Sequence, residues 1–170
     1  YSQTETFAAV KLEIDSWRWA GVPFVLRAGK NLPVTATEAL VKLRRPPLGS
    51  IRGRNYFRFR LGPDLAIALG ARIKQPGPVM ASQSVELSPV HLDTTDEMEA
   101  YERLLTDAMR GDSMLFVRED LVEAQWSIVE PILGDVTPVF KYDPGTWGPI
   151  EAHSFGIDVG GWHDPEATGK

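Results

Sequence analysis

The sequence predicts an α+β domain: a large antiparallel meander sheet with helices packed on one face. Three features lead there. Apolar residues alternate with a period of two in successive stretches between residues 8 and 87. Short turns separate these stretches, which calls for antiparallel pairing, because a parallel pair needs a crossover of about a dozen residues or more. The period changes to that of a helix only after residue 94, which groups the helices behind the strands.

Ala8, Val10, Leu12 and Ile14 point one way and Ala9, Lys11 and Glu13 the other, the pattern of a half-buried strand over 8–14. Trp17 to Pro23 breaks the pattern; Phe24 to Leu26 starts a short apolar run, and Gly29, Asn31 and Pro33 mark a loop. Over 38–45, Ala39, Val41 and Leu43 are expected to face the core, with Lys42 and Arg44 turned away. Pro46 to Asn55 reads as a long connection. Over 56–61, Phe57, Phe59 and Leu61 are expected inside and Tyr56, Arg58 and Arg60 outside. After the Gly62-Pro63-Asp64 turn, Leu65, Ile67, Leu69, Ala71 and Ile73 give the cleanest alternation, and a further strand is expected near Ser84 to Leu87.

Met98, Tyr101, Leu105 and Ala108/Met109 then recur at helical spacing behind the capping candidates Thr94, Thr95 and Asp96, and Gly111 ends that helix. A second stripe, Val122, Trp126, Val129 and Leu133, runs beside Leu121, Gln125, Ile128 and Ile132; Pro131 is expected to kink or shorten its last turn. Glu97/Glu99 and Glu119/Asp120 fall in first turns, where the macrodipole favours carboxylates without a catalytic role. Asp158 to Lys170, Gly-rich and polar, reads as a loose tail. The expected organisation is one domain over 1–157 and that tail over 158–170.

Composition bounds the function. With 43% apolar and 24% charged residues, the 170-residue chain fits one globular domain and not a disordered one. No apolar run reaches the roughly 18 residues of a membrane-spanning helix. The lack of cysteine excludes disulfides, thiolate metal sites and a cysteine nucleophile, and suits a reducing compartment. The start at Tyr1-Ser2-Gln3, without Met or a signal region, reads as a piece of a longer protein. A net charge of −5 argues against coating by nucleic acid, yet Leu40 to Gln75 holds nine basic residues and one acid. That stretch fits an anionic ligand or acidic partner, or else a solvated sheet face turned toward acidic helices of the same molecule.

Catalytic motifs are sparse. The chain has no G-x-G-x-x-G, P-loop, G-x-S-x-G or H-E-x-x-H. His91, His153 and His163 do not lie at metal-ligand spacing, so no metal site is expected. His163-Asp164 is either an oriented base or a solvated pair. Trp17 and Trp19 flanking Arg18 read as packing with a cation–π contact. The segment with chemical content is Arg27-Ala28-Gly29-Lys30-Asn31-Leu32-Pro33, where a glycine beside a lysine can bring an ammonium group and bare backbone close to an anion.

Five blocks in order carry a resemblance: Thr4 to Leu12, Asp15 to Phe24, Leu26 to Lys30, Tyr101 to Asp112, and Tyr142-Asp143-Pro144-Gly145-Thr146-Trp147-Gly148-Pro149. They resemble the C-terminal half of glucose-6-phosphate dehydrogenase, over roughly residues 4–152. The resemblance implies an α+β domain with a large antiparallel sheet, joined in the parent to an N-terminal nucleotide-binding domain. That absent domain holds NADP and the catalytic histidine–aspartate pair. The parent would be an NADP-dependent enzyme of the pentose phosphate pathway, oxidising glucose 6-phosphate to 6-phosphogluconolactone in the cytoplasm. This chain alone is then expected to be inert, with no catalytic residue and no cofactor of its own.

The same resemblance implies that Lys30, the lysine of R-x-G-K, contacts the substrate in the cleft between domains. The family usually carries a second lysine five positions later, where this chain has Thr35, so both are candidate substrate-binding residues. Arg60 matches one basic contact of the structural NADP that some animal members bind, but Ala36 and Leu40 stand where others are basic, so no structural NADP is expected. The implied partners are glucose 6-phosphate, the chain's own N-terminal domain and a second copy through the sheet, for which Lys42, Arg44, Arg58, Arg60 and Arg72 are candidate contacts; no nucleic acid or membrane is implied. One alternative is a non-catalytic paralogue that keeps the fold for assembly or regulation, favoured by Thr35. Another is an anion- or nucleic-acid-binding sheet using the basic stretch, opposed by the inward Phe57 and Phe59, which could not serve as stacking platforms.

Overall fold

Alternation of apolar and polar side chains builds six strands in the computed structural model, which describes residues 4–45, 47, 53–78, 81–92, 99–134 and 136–167. They are β1 (Phe7–Leu12), β2 (Phe24–Gly29), β3 (Thr37–Lys42), β4 (Tyr56–Gly62), β5 (Leu65–Lys74) and β6 (Ser82–Leu92). Each paired neighbour is antiparallel, as the short turns require. The ladder divides into a two-stranded sheet, β1–β2, and a four-stranded meander, β3–β4–β5–β6. Asn31, in the left-handed region at φ 51, and Pro33, which has no N–H to donate, separate the two sheets.

β6 outruns the expected Ser84 to Leu87. Its register slips where Ile67 pairs with Val90 and Leu69 with Leu87, which leaves Ser88 and Pro89 opposite Ala68. A bulge is where a proline costs the sheet no hydrogen bond, and it also breaks the alternation that would have marked the rest of the strand.

The chain falls into two units, Tyr1–Thr94 with Phe140–Lys170, and Thr95–Val139. The second holds α1 (Ala100–Arg110) and α2 (Glu119–Val129). Gly111 ends α1 in the left-handed conformation, as expected, and Glu119 and Asp120 occupy the first turn of α2. At Pro131 the α-helix gives way to a 3-10 turn, Glu130–Ile132, because a prolyl ring cannot continue the α ladder. The capping candidates Thr94, Thr95 and Asp96, with Glu97 and Met98, lie outside the described residues.

In the first unit the covered face of the four-stranded sheet is the charged one, contrary to expectation. Arg60 is 5% exposed and Ala68 1%, whereas Leu61 keeps 60%. The reason lies in the pairing of β4 with β5. Tyr56, Arg58 and Arg60 stand opposite Gly70, Ala68 and Ala66, so each long polar side chain has a small neighbour to lie across. They meet acids on the same face: Arg58 and Arg60 reach Glu38 of β3 at 3.3 and 3.2 Å, and Arg58 also pairs with Glu86 of β6. Arg58 and Arg60 thus spend charge on acids of their own sheet.

Residues 158–167 close that face, which overturns the reading of Asp158 to Lys170 as a loose tail; residues 168–170 lie outside the described residues. A 3-10 segment, Ile150–Val159, stops at Gly160, and the chain then crosses both sheets. Lys11 of β1 pairs with Asp158 at 2.6 Å. Lys42 of β3 donates to the carbonyls of Val159 and Gly161 at 3.1 and 2.8 Å, and Arg60 donates to the Glu166 carbonyl at 2.9 Å. His163 Nε2 lies 2.8 Å from Glu38 Oε2, while Asp164 pairs with Arg27. His163 and Asp164 therefore serve different partners and form no dyad. Trp162, whose Nε1 donates to the Ala152 carbonyl at 2.9 Å, anchors the segment that its glycines had marked as loose.

Candidate functional site

β2 runs out at Gly29 and delivers Lys30 to the surface. The main chain there is fixed from three directions. The Lys30 N–H donates to the Thr6 carbonyl at 2.8 Å, and the Gly145 N–H donates to the Asn31 carbonyl at 2.8 Å. The Tyr142 hydroxyl donates to the Lys30 carbonyl at 2.8 Å and lies 3.1 Å from the Thr6 carbonyl. The Lys30 side chain is exposed, and among the described residues no carboxylate forms an ion pair with it. A tethered backbone with an uncommitted ammonium group is what a fixed anion contact requires.

Packing beneath the loop is tight. Phe7 pairs with Gly29 across β1–β2, and its ring centroid lies 5.5 Å from that of Tyr142. A Cβ on Gly29 would come 2.7 Å from Phe7 Cδ2, and one on Gly148, at φ 99, would overlap the same ring. The two glycines thus let one phenylalanine wedge between β2 and the 142–149 segment. In the sequence, the spacing of Gly145 and Gly148 is the one local signal of this packing.

Arg27, two residues before Gly29, is also committed. Its guanidinium stacks between Trp147 and Trp162, 4.4 and 5.0 Å from their ring centroids, and donates to the His163 carbonyl at 2.8 Å. Its side chain is only 9% exposed. An open cleft of about 630 Å³ adjoins it, lined by Trp147, His153 and Trp162 among others. Thr35 is exposed, two residues before β3; among the described residues no hydrogen bond joins its side chain to Lys30.

The charged face is electrostatically set. The hydrogen bond from Arg58 holds Glu86 below the usual glutamate range and raises Arg58 in return. The Tyr56 hydroxyl, 2.6 Å from Glu86, is pushed up by that bond. Burial lowers Lys42, with Arg54 adding to the effect. No group of three or more potential metal ligands occurs among the described residues. The strands pair antiparallel, so the described residues contain no βαβ unit of the dinucleotide-binding kind. No described helix is long and apolar enough to cross a membrane.

Known proteins resemble this chain over most of its length. The family model described as "Glucose-6-phosphate dehydrogenase, C-terminal domain" matches residues 1–162. The chain is 40% identical over 160 residues to glucose-6-phosphate 1-dehydrogenase of Aggregatibacter actinomycetemcomitans, covering 89% of this chain and 32% of that one. It is 41% identical over 178 residues to the protein of that name from Mycolicibacterium smegmatis, covering 96% and 36%. A crystal structure of glucose-6-phosphate 1-dehydrogenase from Mycobacterium avium superposes with a TM-score of 0.80 at 36% identity, covering 96% of this chain and 36% of the other. A glucose-6-phosphate dehydrogenase in complex with its substrate glucose-6-phosphate superposes with 0.73 at 32% identity, over 95% and 35%. The chain spans about a third of the length of the curated relatives it matches.

Proposed function

The chain belongs to the glucose-6-phosphate dehydrogenase C-terminal domain family, and from that premise we propose that it is the substrate-binding and assembly part of an NADP-dependent glucose-6-phosphate dehydrogenase. Lys30 binds the phosphate of glucose 6-phosphate. A separate nucleotide-binding domain holds NADP and the catalytic base, and the product is 6-phosphogluconolactone, in the pentose phosphate pathway of the cytoplasm. The observation that carries this reading is the tethered Lys30 main chain with its exposed ammonium group, unpaired among the described residues.

NADP, when bound by the rest of the enzyme, supplies the hydride acceptor. This chain's part is to hold and orient the sugar phosphate. An ammonium hydrogen bond to a phosphate dianion contributes roughly 1.5–3 kcal/mol, whereas a neutral hydroxyl such as Thr35 contributes roughly 0.5–1.5. Lys30 therefore carries the larger share of the phosphate affinity from this chain. Assembly through the four-stranded sheet uses its apolar face, because the charged face is already covered by residues 158–167. Lys30→Ala in the complete enzyme is expected to raise the Michaelis constant for glucose 6-phosphate about tenfold or more. A complete protein that binds no glucose 6-phosphate would favour the non-catalytic paralogue to which Thr35 points.

A further inference from the structure

We propose that Tyr142 is a positioning residue for the substrate site, setting the direction of the Lys30 ammonium through the Lys30 main chain; the proposal rests on Lys30 being the phosphate contact. Tyr142 lies 112 residues downstream of Lys30, yet its hydroxyl reaches the carbonyl of that one residue at 2.8 Å. The phenol has a single proton to give. The shorter contact takes it, while the Thr6 carbonyl at 3.1 Å shares it weakly and is already served by the Lys30 N–H. The Thr6 hydroxyl, 3.3 Å from the phenol oxygen, can donate into its lone pair. The hydroxyl thus sits at a junction of β1, the Lys30 loop and the 142–149 segment. Its ring is held in place by Phe7, which is itself wedged against Gly29 and Gly148.

The consequence is specific to Lys30. The carbonyl and N–H of Lys30 bracket its Cα, so both peptide planes that aim the side chain are held by hydrogen bonds, one from Tyr142 and one to Thr6. Removing the phenolic oxygen frees the plane on the C-terminal side. The loop then samples directions in which the ammonium misses the phosphate, while groups elsewhere in the site are untouched. Binding weakens and the chemical step does not.

The test is a double-mutant cycle in the complete enzyme with Tyr142→Phe and Lys30→Ala. Tyr142→Phe is expected to raise the Michaelis constant for glucose 6-phosphate roughly three- to tenfold, the range for one lost hydrogen bond. Its kcat should stay within about twofold, and its Michaelis constant for the nicotinamide nucleotide should not move. In the Lys30→Ala background the same substitution should have no further effect, because the group it aims is gone. If Lys30→Ala weakens substrate binding but Tyr142→Phe does not, or if the Tyr142 effect persists in full without Lys30, the positioning role is overturned and the substrate-site reading stands. If Lys30→Ala itself leaves the Michaelis constant unchanged, the substrate-site reading falls and the positioning role with it. Retention of the wild-type thermal midpoint by Tyr142→Phe separates aim from folding.

Discussion

Glu38→Ala tests the inverted sheet face. The Glu38 side chain is 3% exposed and receives Arg58 at 3.3 Å, Arg60 at 3.2 Å and His163 at 2.8 Å. Arg60 is buried as deeply, and two of its nitrogens, Nε and Nη2, find no partner among the described residues. With Glu38 gone, the Arg60 charge keeps, among the described residues, only the Glu166 carbonyl. Removing one member of a buried ion pair costs about 3–5 kcal/mol, because the other charge is left uncompensated. For a chain of this size that corresponds to a fall in thermal midpoint of roughly 6–20 °C. Glu38→Gln keeps an acceptor but not the charge and should fall between. Adding Arg60→Met to Glu38→Ala should recover part of the loss, since an apolar side chain of similar length removes the orphaned charge. Thermal and urea unfolding of the four proteins provides the measurement. A Glu38→Ala protein within about 0.5 kcal/mol of wild type, as expected for an ordinary surface position, would refute the burial of this face, and so would a double variant less stable than Glu38→Ala.

Two further outcomes follow from the same geometry. Glu86 is held below the usual glutamate range by Arg58 and then Tyr56, so between its folded and ordinary values the unfolded chain binds a proton that the folded chain refuses. Its contribution to stability is therefore present above the ordinary glutamate value and lost as pH falls through the folded one. Unfolding midpoints across acidic pH should show a shallower slope in Glu86→Gln than in wild type; identical slopes would dismiss the Arg58–Glu86 link. Gly148→Ala combines a left-handed backbone with overlap onto Phe7 and should cost about 2–5 kcal/mol. Gly145→Ala, at φ 78 with open space around it, should cost only the about 1–2 kcal/mol of the left-handed conformation, and equal losses in melting experiments would discount the Phe7 wedge.

The strands were legible because a period of two survives in sequence wherever one face differs from the other. Alternation shows which residues share a face, but not which face is covered. Phe57, Phe59 and Leu61 looked like core on hydrophobicity alone. The cross-strand match of Tyr56, Arg58 and Arg60 with Gly70, Ala68 and Ala66, and the acids Glu38 and Glu86 on the same face, emerge only when register is known. The segment 158–167 was misread because Gly160, Gly161 and polar neighbours resemble a tail, although Trp162 among them was a signal of packing. The Gly29-Lys30 pair marks an anion contact only weakly in sequence, since a Gly-Lys dipeptide is common, and the family resemblance supplies the rest. Tyr142 was missed because a contact spanning 112 residues leaves no trace in local pattern.

The claim on which the rest depends is that the Lys30 ammonium meets the substrate's phosphate. The most direct measurement is a crystal structure of the complete enzyme with glucose 6-phosphate bound. Lys30 Nζ is expected within about 2.7–3.2 Å of a phosphate oxygen, with the Tyr142 hydroxyl still on the Lys30 carbonyl. A phosphate held by other groups while Lys30 points into solvent would contradict it.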